Sequence, residues 1–263
     1  MSGIGSGGRD DGVRLAAVAR ATDDWTVAAL EEVLPRDGGQ CDVLEVGCGT
    51  GSVAIELARR RPAIRVWALD PDLALLPAAD RRPANLRPVR SRVQDWTPPT
   101  RFALVHARFV LSHLPDREAV CTRLADWLVP GGHLVVTDPV HLDLGGGGPV
   151  ARVLAAYRAV AEADGLAFTF APALPGLFLG AGLTDVDLRA RPARLGGGPG
   201  VDRWAPLVRR VEDRLAGVTP ADLAAFHAHA ESPATWSVPQ ILLTVTGRAP
   251  ARAGRGRAGP RRV

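Results

Sequence analysis

Three glycines alternate with other residues directly after a short apolar run. The run covers 43–46, and Gly47, Gly49 and Gly51 precede a helix-like segment at 52–60. Glycine allows a tight turn and leaves backbone N–H groups accessible at a helix N-terminus, where they can bind nucleotide ligands. A dinucleotide fingerprint would need glycine at 52, which is serine, and a P-loop would need lysine, which the chain lacks. The spacing predicts a turn that holds a nucleoside cofactor, with a plain tight turn as the alternative.

Two acidic positions follow the next two predicted strands. Asp70 comes directly before Pro71, and Asp95 comes directly before Trp96. A carboxylate beside the glycine turn can accept hydrogen bonds from both hydroxyls of a ribose. An acid followed by a large aromatic ring suits an adenine base. The alternatives are a loop-capping aspartate at 70, and a helix cap with a core tryptophan at 95 and 96.

Three further residues could take a proton from a substrate. His113 follows the predicted fourth strand, and Asp138 and His141 follow the fifth. A general base should lie near these strand ends. For His113, a structural role in packing beneath a lid is an alternative to the role of base, and the two interpretations carry equal weight. Cys48, inside the glycine turn, is interpreted as a small filler rather than a nucleophile because no base is near it in sequence.

Strand-like and helix-like segments alternate between residues 43 and 137. The strands are too uniformly apolar to be half-exposed, so the pattern predicts a parallel sheet covered on both faces. The predicted strands cover 43–46, 66–69, 89–93, 102–106, 133–137, 186–189 and 241–246. The predicted helices cover 13–21, 24–34, 52–60, 73–79, 117–128, 150–163, 174–182, 203–215 and 221–230.

One domain is predicted, with helices added to the sheet as a lid. The domain covers 12–247, between a disordered glycine-rich start at 1–11 and a disordered basic tail at 248–263. The lid helices are expected near 13–34, 150–163 and 203–230. Aromatic residues outside the sheet could line an apolar pocket, and ordinary lid packing is the alternative; they are Phe168, Phe170, Phe178, Trp204, Phe226 and Trp236.

Composition narrows the possible functions. The formal net charge is +4, but every basic residue is arginine, and without the arginine-rich stretch from 248 onward the remainder is near neutral. Nucleic-acid binding is therefore not predicted. No long apolar run predicts a membrane span, and the N-terminus lacks the features of a signal peptide. Three cysteines without metal-like spacing predict neither a disulfide framework nor a metal site, so a reducing cytoplasm is expected.

Five segments together resemble the class I S-adenosylmethionine-dependent methyltransferases. They are 43–51, Asp70, Asp95 with Trp96, 102–116 and 128–139, which occur in the family's order. They are most similar to the small-molecule branch that includes the ubiquinone and menaquinone type. The resemblance implies an α/β, Rossmann-like, doubly wound sheet of seven strands. Its implied strand order is 3-2-1-4-5-7-6, with strand 7 antiparallel.

The resemblance also implies roles for particular residues in binding S-adenosylmethionine. It places the three glycines and Cys48 under the methionine part, with Glu45 supporting its ammonium group. Asp70, followed by Pro71, would hold the ribose, and Asp95 with Trp96 the adenine. Ala107 and Arg108 would contact the amino acid end. The tyrosine often found in the family's N-terminal helix is missing, and Arg14 is a possible substitute.

The expected activity is methyl transfer from S-adenosylmethionine to an oxygen or nitrogen of a small, partly apolar molecule, with a secondary metabolite as one candidate. Related sugar and aglycone enzymes pair a histidine with an aspartate, and His113 and Asp138 are similarly placed. One alternative is a non-catalytic binding module of the same fold. Another is a methyltransferase that acts on RNA or protein. Whether the protein forms a homodimer is left open.

Overall fold

A computed structural model describes residues 9–35, 39–145, 147–198 and 202–251. Seven strands form one sheet, in the order β3-β2-β1-β4-β5-β7-β6 once they are numbered along the chain. The strands are β1 (Asp42–Val46), β2 (Arg65–Asp70), β3 (Leu86–Arg90), β4 (Phe102–Arg108), β5 (Leu128–His141), β6 (Thr184–Gly196) and β7 (Trp236–Arg248). This order confirms the predicted topology.

Strands β1 to β5 are parallel, and β7 runs antiparallel to both β5 and β6. Val43 of β1 lies opposite Val66 of β2 on one side and Leu104 of β4 on the other. Because parallel strands point the same way, the carboxyl ends of β1, β2, β4 and β5 meet at one edge of the sheet.

Helices cover both faces of the sheet and build the lid. They are α1 (Arg9–Val33), α2 (Ser52–Arg60), α3 (Arg117–Asp126), α4 (Pro149–Ala163), α5 (Leu174–Gly180), α6 (Trp204–Arg209) and α7 (Pro220–Glu231). Short 3-10 turns occur at Ala79–Arg81, Leu111–His113, Ala171–Ala173 and Glu212–Arg214. None of the helices in the described ranges is long and apolar enough to cross a membrane.

Helix α1 is continuous, so the prediction of two helices separated at 22–23 was wrong. The hydroxyl of Thr22 donates a hydrogen bond of 2.7 Å to the carbonyl of Val18, one turn earlier in the helix. Thr26 donates in the same way to the carbonyl of Thr22, also at 2.7 Å. Both threonines therefore satisfy their hydroxyls inside the helix and do not interrupt it.

The predicted helix at 73–79 was also wrong. The N–H of Leu76 donates to the carbonyl of Leu73 at 3.1 Å and closes a single turn, which Pro77 follows. A proline disfavours helical geometry in the residue before it and cannot donate a backbone hydrogen bond, so the turn does not propagate. The third strand starts and ends a few residues earlier than predicted, and it includes Pro88, which an edge strand tolerates.

The last third of the chain pairs more extensively than its sequence suggested. Strands β6 and β7 form a long antiparallel ribbon that reaches Gly196 and Trp236. The predicted helix at 203–215 is instead the short α6 followed by a 3-10 turn. The predicted disordered ends fall largely outside the described residues, but Ala249 still donates its N–H to the carbonyl of Gly132 at 2.8 Å.

The lid has a hydrophobic core of its own. Trp204 and Phe226 are fully buried there together with Phe168 and residues of α4. Phe170 and Phe178, which were considered as lid residues, instead pack into the core of the sheet. Trp236 is exposed. Lid packing therefore accounts for part of the predicted aromatic set, while Phe168 also reaches the cavity described below.

Replacing Trp204 with alanine should destabilise the protein by about 3–5 kcal/mol, because a buried aromatic side chain leaves a cavity when it is truncated. Trp204 is 0% exposed and Trp236 is 60% exposed. Trp236→Ala is the matched control and should cost about 0.5 kcal/mol or less. Urea unfolding followed by circular dichroism measures both variants, and equal losses would contradict a separate lid core.

Candidate active site

A cavity of about 550 Å³ opens at the carboxyl edge of the parallel strands. Its lining falls into two parts. The glycine-turn half contains Glu45, Val46, Gly47, Cys48, Gly49, Thr50, Ser52, Leu69, Asp70, Pro71, Asp72, Leu75, Ser91, Arg92, Val93, Gln94 and Arg108. The lid half contains Arg14, Leu15, Val18, Phe109, Val110, Ser112, His113, Leu114, Pro115, Pro139, Tyr157, Leu166, Phe168, Arg203, Leu207 and Gln240.

The glycine turn is sterically required. Gly47, Gly49 and Gly51 have φ of 67°, 52° and 72°, in the left-handed region that side chains disfavour. A Cβ on Gly47 would collide with Val110, and one on Gly51 would collide with Leu76. Gly51 is buried behind the cavity wall, whereas the other two glycines line the cavity.

Asp70 organises the turn with both carboxylate oxygens. Its Oδ2 accepts the N–H of Gly49 at 2.9 Å, and its Oδ1 accepts the N–H of Asp72 at 2.9 Å. Each oxygen keeps a further lone pair, and the residue lines the cavity. Asp70 therefore both shapes the glycine turn and leaves acceptor capacity for a ligand.

Glu45 is a buried carboxyl at the end of β1. Its Oε2 accepts the N–H of Ala54 at 2.9 Å, and it lines the cavity although only 5% of it is exposed. Burial raises its pKa to about 8, an effect that the Arg108 guanidinium partly opposes. The Nδ1 atom of His106 lies 3.9 Å from Oε1 of Glu45. Burial lowers the pKa of His106 to about 3, so its ring is neutral and does not compensate a negative charge on Glu45.

Arg108 connects the sheet to helix α1. Its Nη2 donates to Asp23 Oδ1 at 2.7 Å, and its Nη1 donates to the hydroxyls of Thr22 and Thr26 at 2.8 and 3.0 Å. Sequence reasoning missed these three partners, and nothing in the chain order indicates that they meet Arg108. The preceding residue, Ala107, is fully buried and does not line the cavity.

The predicted adenine residues lie away from the cavity wall. Asp95 is exposed to solvent, and the ring of Trp96 lies 6.1, 6.2 and 5.5 Å from those of Trp67, Phe102 and Trp127. The tryptophan thus packs into an aromatic cluster, and an adenine role for these two residues stays a prediction. The residues just before them, 91–94, line the cavity in their place.

His113 and Asp138, predicted as a catalytic pair, have different surroundings in the described residues. Asp138 is fully buried behind the wall and accepts the hydroxyl of Ser112 at 2.6 Å, while His113 faces the cavity. Burial raises the pKa of Asp138 to about 7. His113 is accessible to solvent from the cavity but enclosed by its walls, which together with Arg14 lower its pKa to about 4.

A polar chain that sequence reasoning missed crosses the lid half. Arg203 donates through Nη2 to Gln240 Oε1, and Gln240 Nε2 lies 2.8 Å from His141 Nε2. Burial lowers the pKa of His141 to about 4, so its neutral ring accepts from the Gln240 amide. His141, a candidate base, packs edge-on against Phe168 at 4.0 Å and lies outside the cavity lining.

Residues 17–188, more than half of the chain, match a family model described as a methyltransferase domain. The chain belongs to this methyltransferase family. The match ends within β6, so the methyltransferase model leaves α6 and α7 of the lid outside it. Within the described ranges, no group of three or more histidine, cysteine, aspartate or glutamate residues could hold a metal ion.

Curated relatives align with only part of the chain. Trans-aconitate 2-methyltransferase of Sinorhizobium fredii is 38% identical over 99 residues, which is 38% of either chain. Methyltransferase str3 of Strobilurus tenacellus is 39% identical over 110 residues, which is 41% of this chain and 39% of the relative. The alignments therefore span about two fifths of each relative's length.

A solved structure extends the likeness in fold. Phosphoethanolamine N-methyltransferase 2 of Haemonchus contortus, in complex with S-adenosyl-L-methionine, matches with a TM-score of 0.58 and 16% identity. The match covers 86% of this chain and 52% of that one. It supports the same sheet architecture over most of the chain.

Gly51→Ala should destabilise the protein by about 1–3 kcal/mol, because alanine disfavours a left-handed φ and its Cβ meets Leu76. Gly176→Ala in α5 is the matched control, since no atom lies near its added Cβ. That change should be neutral or slightly stabilising. Urea unfolding measures both, and an unchanged Gly51→Ala variant would contradict the described turn.

Proposed function

We propose that this protein transfers a methyl group from S-adenosylmethionine to an oxygen or nitrogen of a small, partly apolar molecule. One observation carries the proposal: a single cavity joins the glycine-turn half to the apolar lid half at the carboxyl edge of the sheet. Ligands of open α/β sheets bind at this edge, and the volume is within the range of small-molecule sites.

The residues of the glycine-turn half fit S-adenosylmethionine. The turn allows close approach to the backbone because Gly47 and Gly49, which line the cavity, have no Cβ atoms. Glu45 offers a buried carboxyl that an ammonium group would stabilise in its charged form. Asp70 retains acceptor lone pairs for hydroxyls of the ribose. When bound, this cofactor supplies a methyl group already activated by a sulfonium.

The lid half fits an acceptor with an apolar body. Val110, Leu166, Phe168 and Leu207 provide the apolar surface, and Tyr157 adds a hydroxyl. Helix α1 and the lid enclose this space and reduce its contact with water. Holding an acceptor in one orientation can supply about 7–11 kcal/mol of the barrier to a bimolecular transfer.

Two groups could accept the proton that an acceptor hydroxyl or amine loses. His113 lines the cavity and is neutral at pH 7, so it can accept a hydrogen bond from the acceptor. Its pKa of about 4 makes it a weak base. Asp138 has a pKa of about 7, which is close to the working pH and therefore suits proton transfer. It does not line the cavity, however, and contacts the wall through its hydrogen bond from the hydroxyl of Ser112.

Trans-aconitate is the first acceptor to test, because the name of one relative specifies it. A library of small hydroxylated and amine-bearing aromatic molecules should be tested beside it. Calorimetry with S-adenosylhomocysteine tests cofactor binding, and release of S-adenosylhomocysteine from S-adenosylmethionine tests turnover. Absence of cofactor binding would contradict the proposal, whereas binding without turnover on any acceptor would favour a non-catalytic module.

Asp70→Ala should weaken S-adenosylhomocysteine binding by about tenfold or more, which corresponds to about 1.4 kcal/mol. The physical reason is the loss of an acceptor that also orders the N–H of Gly49. His113→Ala should bind the same ligand nearly normally and lower turnover instead. Calorimetry and product release separate the two effects, and the reverse pattern would overturn both assignments.

Binding of S-adenosylhomocysteine near pH 7 should release a proton from Glu45. With a pKa of about 8, the free carboxyl is mostly protonated at pH 7, and a nearby ammonium favours the ionised form. Affinity should therefore rise as the pH approaches 8. Calorimetry in buffers of different ionisation enthalpy measures the release.

Two variants control the proton-release measurement. Glu45→Gln should bind without releasing the proton, because an amide does not titrate. Glu56→Gln, on the partly exposed side of α2, should behave like the unmodified protein. The same proton release from Glu45→Gln as from the unmodified protein would assign the proton to another group.

A further inference from the structure

Arg203 is a buried cation on the wall of the lid half. It lies directly before α6, is only 6% exposed and contributes to the cavity lining. Its hydrogen bond through Nη2 goes to the neutral amide of Gln240. Its Nε is buried and has no hydrogen-bond partner among the residues that the structure describes. The guanidinium therefore has unused donor capacity.

The charge of Arg203 persists at neutral pH. Burial lowers its pKa to about 10, which still leaves the side chain protonated. The adjacent acid, Asp202, accepts the main-chain N–H groups of Ala205 at 2.8 Å and Gly196 at 3.4 Å. The carboxylate of Asp202 thus orders the start of α6 and the end of β6.

Aromatic rings restrict the directions from which a ligand can approach Arg203. The guanidinium carbon lies 5.2 Å from the ring centroid of Trp204 and 5.7 Å from that of Phe109. A ring face near a guanidinium favours its charge, and the planar guanidinium presents its donors at its edge. A ligand would accept hydrogen bonds from the edge of that plane, which is the geometry suited to a flat oxyanion.

The lining of the lid half contains no acidic residue, and Asp202, whose charge acts on Arg203, lies outside that lining. The described lining of the lid half includes Arg14 and Arg203, whereas the acids of the cavity, Glu45, Asp70 and Asp72, all line the glycine-turn half. A buried cation is costly unless an anion or a full set of hydrogen bonds compensates it. A ligand anion in the lid half would provide that compensation.

We propose that the methyl acceptor carries a carboxylate, and that Arg203 binds this group from the lid half of the cavity. The inference rests on the proposed function and narrows its substrate class. Arg203 lies outside the stretch 17–188 that matches the methyltransferase family, so the specificity belongs to the lid of this chain. The apolar neighbours Leu166, Phe168 and Leu207 would contact the rest of the molecule.

The test compares acids with their neutral amides on the complex with S-adenosylhomocysteine. The probes are benzoate, cinnamate and trans-aconitate, each paired with its carboxamide, and calorimetry gives their affinities. We expect at least one acid to bind about tenfold or more tightly than its amide. Arg203→Met should abolish this preference and change the affinity for S-adenosylhomocysteine less than about twofold.

Two control variants separate charge from folding. Arg209→Met, at the exposed end of α6, the helix that follows Arg203, should retain the preference for the acid. Arg203→Lys keeps the charge without the planar donor edge and should retain a reduced preference. Circular dichroism establishes whether each variant is folded. If Arg203→Met does not fold, a reduced preference for the acid in Arg203→Lys tests whether Arg203 binds the carboxylate.

Two results would overturn the inference while the proposed function stands. The first is equal binding of every acid and amide, or no binding of any acid, to the complex with S-adenosylhomocysteine. The second is a loss of S-adenosylhomocysteine affinity in Arg203→Met, which would assign Arg203 to the cofactor's own carboxylate. If S-adenosylhomocysteine fails to bind the unmodified protein, the proposed function itself is wrong.

Discussion

The guanidinium of Arg108 is the charge on which the rest of the cavity depends. Its bonds to Thr22, Asp23 and Thr26 hold α1 against the end of β4, which closes one side of the cavity. The same charge opposes the rise in the pKa of Glu45 and helps keep His106 neutral. One ion pair with α1 therefore sets both the shape and the electrostatics of the site.

Sequence reasoning reached the sheet and most of the glycine-turn half because these features are local. A strand is indicated by a short run of neighbouring apolar residues. A tight turn is indicated by closely spaced glycines at positions that disfavour a Cβ. Trp96 shows the limit of this reasoning, since an acid–aromatic pair looks the same in sequence whether the ring contacts a ligand or three other rings. The partners of Arg108 and Arg203 are brought together only by folding, so no spacing in the chain indicates them.

The two halves of the cavity differ in charge as well as in polarity. The lining of the glycine-turn half has three carboxyl groups and two arginines, whereas that of the lid half has two arginines and no carboxyl group. Both halves therefore present charged side chains that folding has already positioned before a ligand binds. Such preorganisation lowers the entropic cost of bringing two molecules together.

The separate hydrophobic core of the lid has a consequence for how this protein can change over time. Substitutions around Trp204 and Phe226 alter the packing of the lid without disturbing the residues beneath the glycine turn, which belong to a different cluster. Effects at distant sites without shared neighbours are close to additive. Mutations in the lid core can thus change the acceptor-facing layer with little effect on the packing beneath the glycine turn, so the two layers can vary independently.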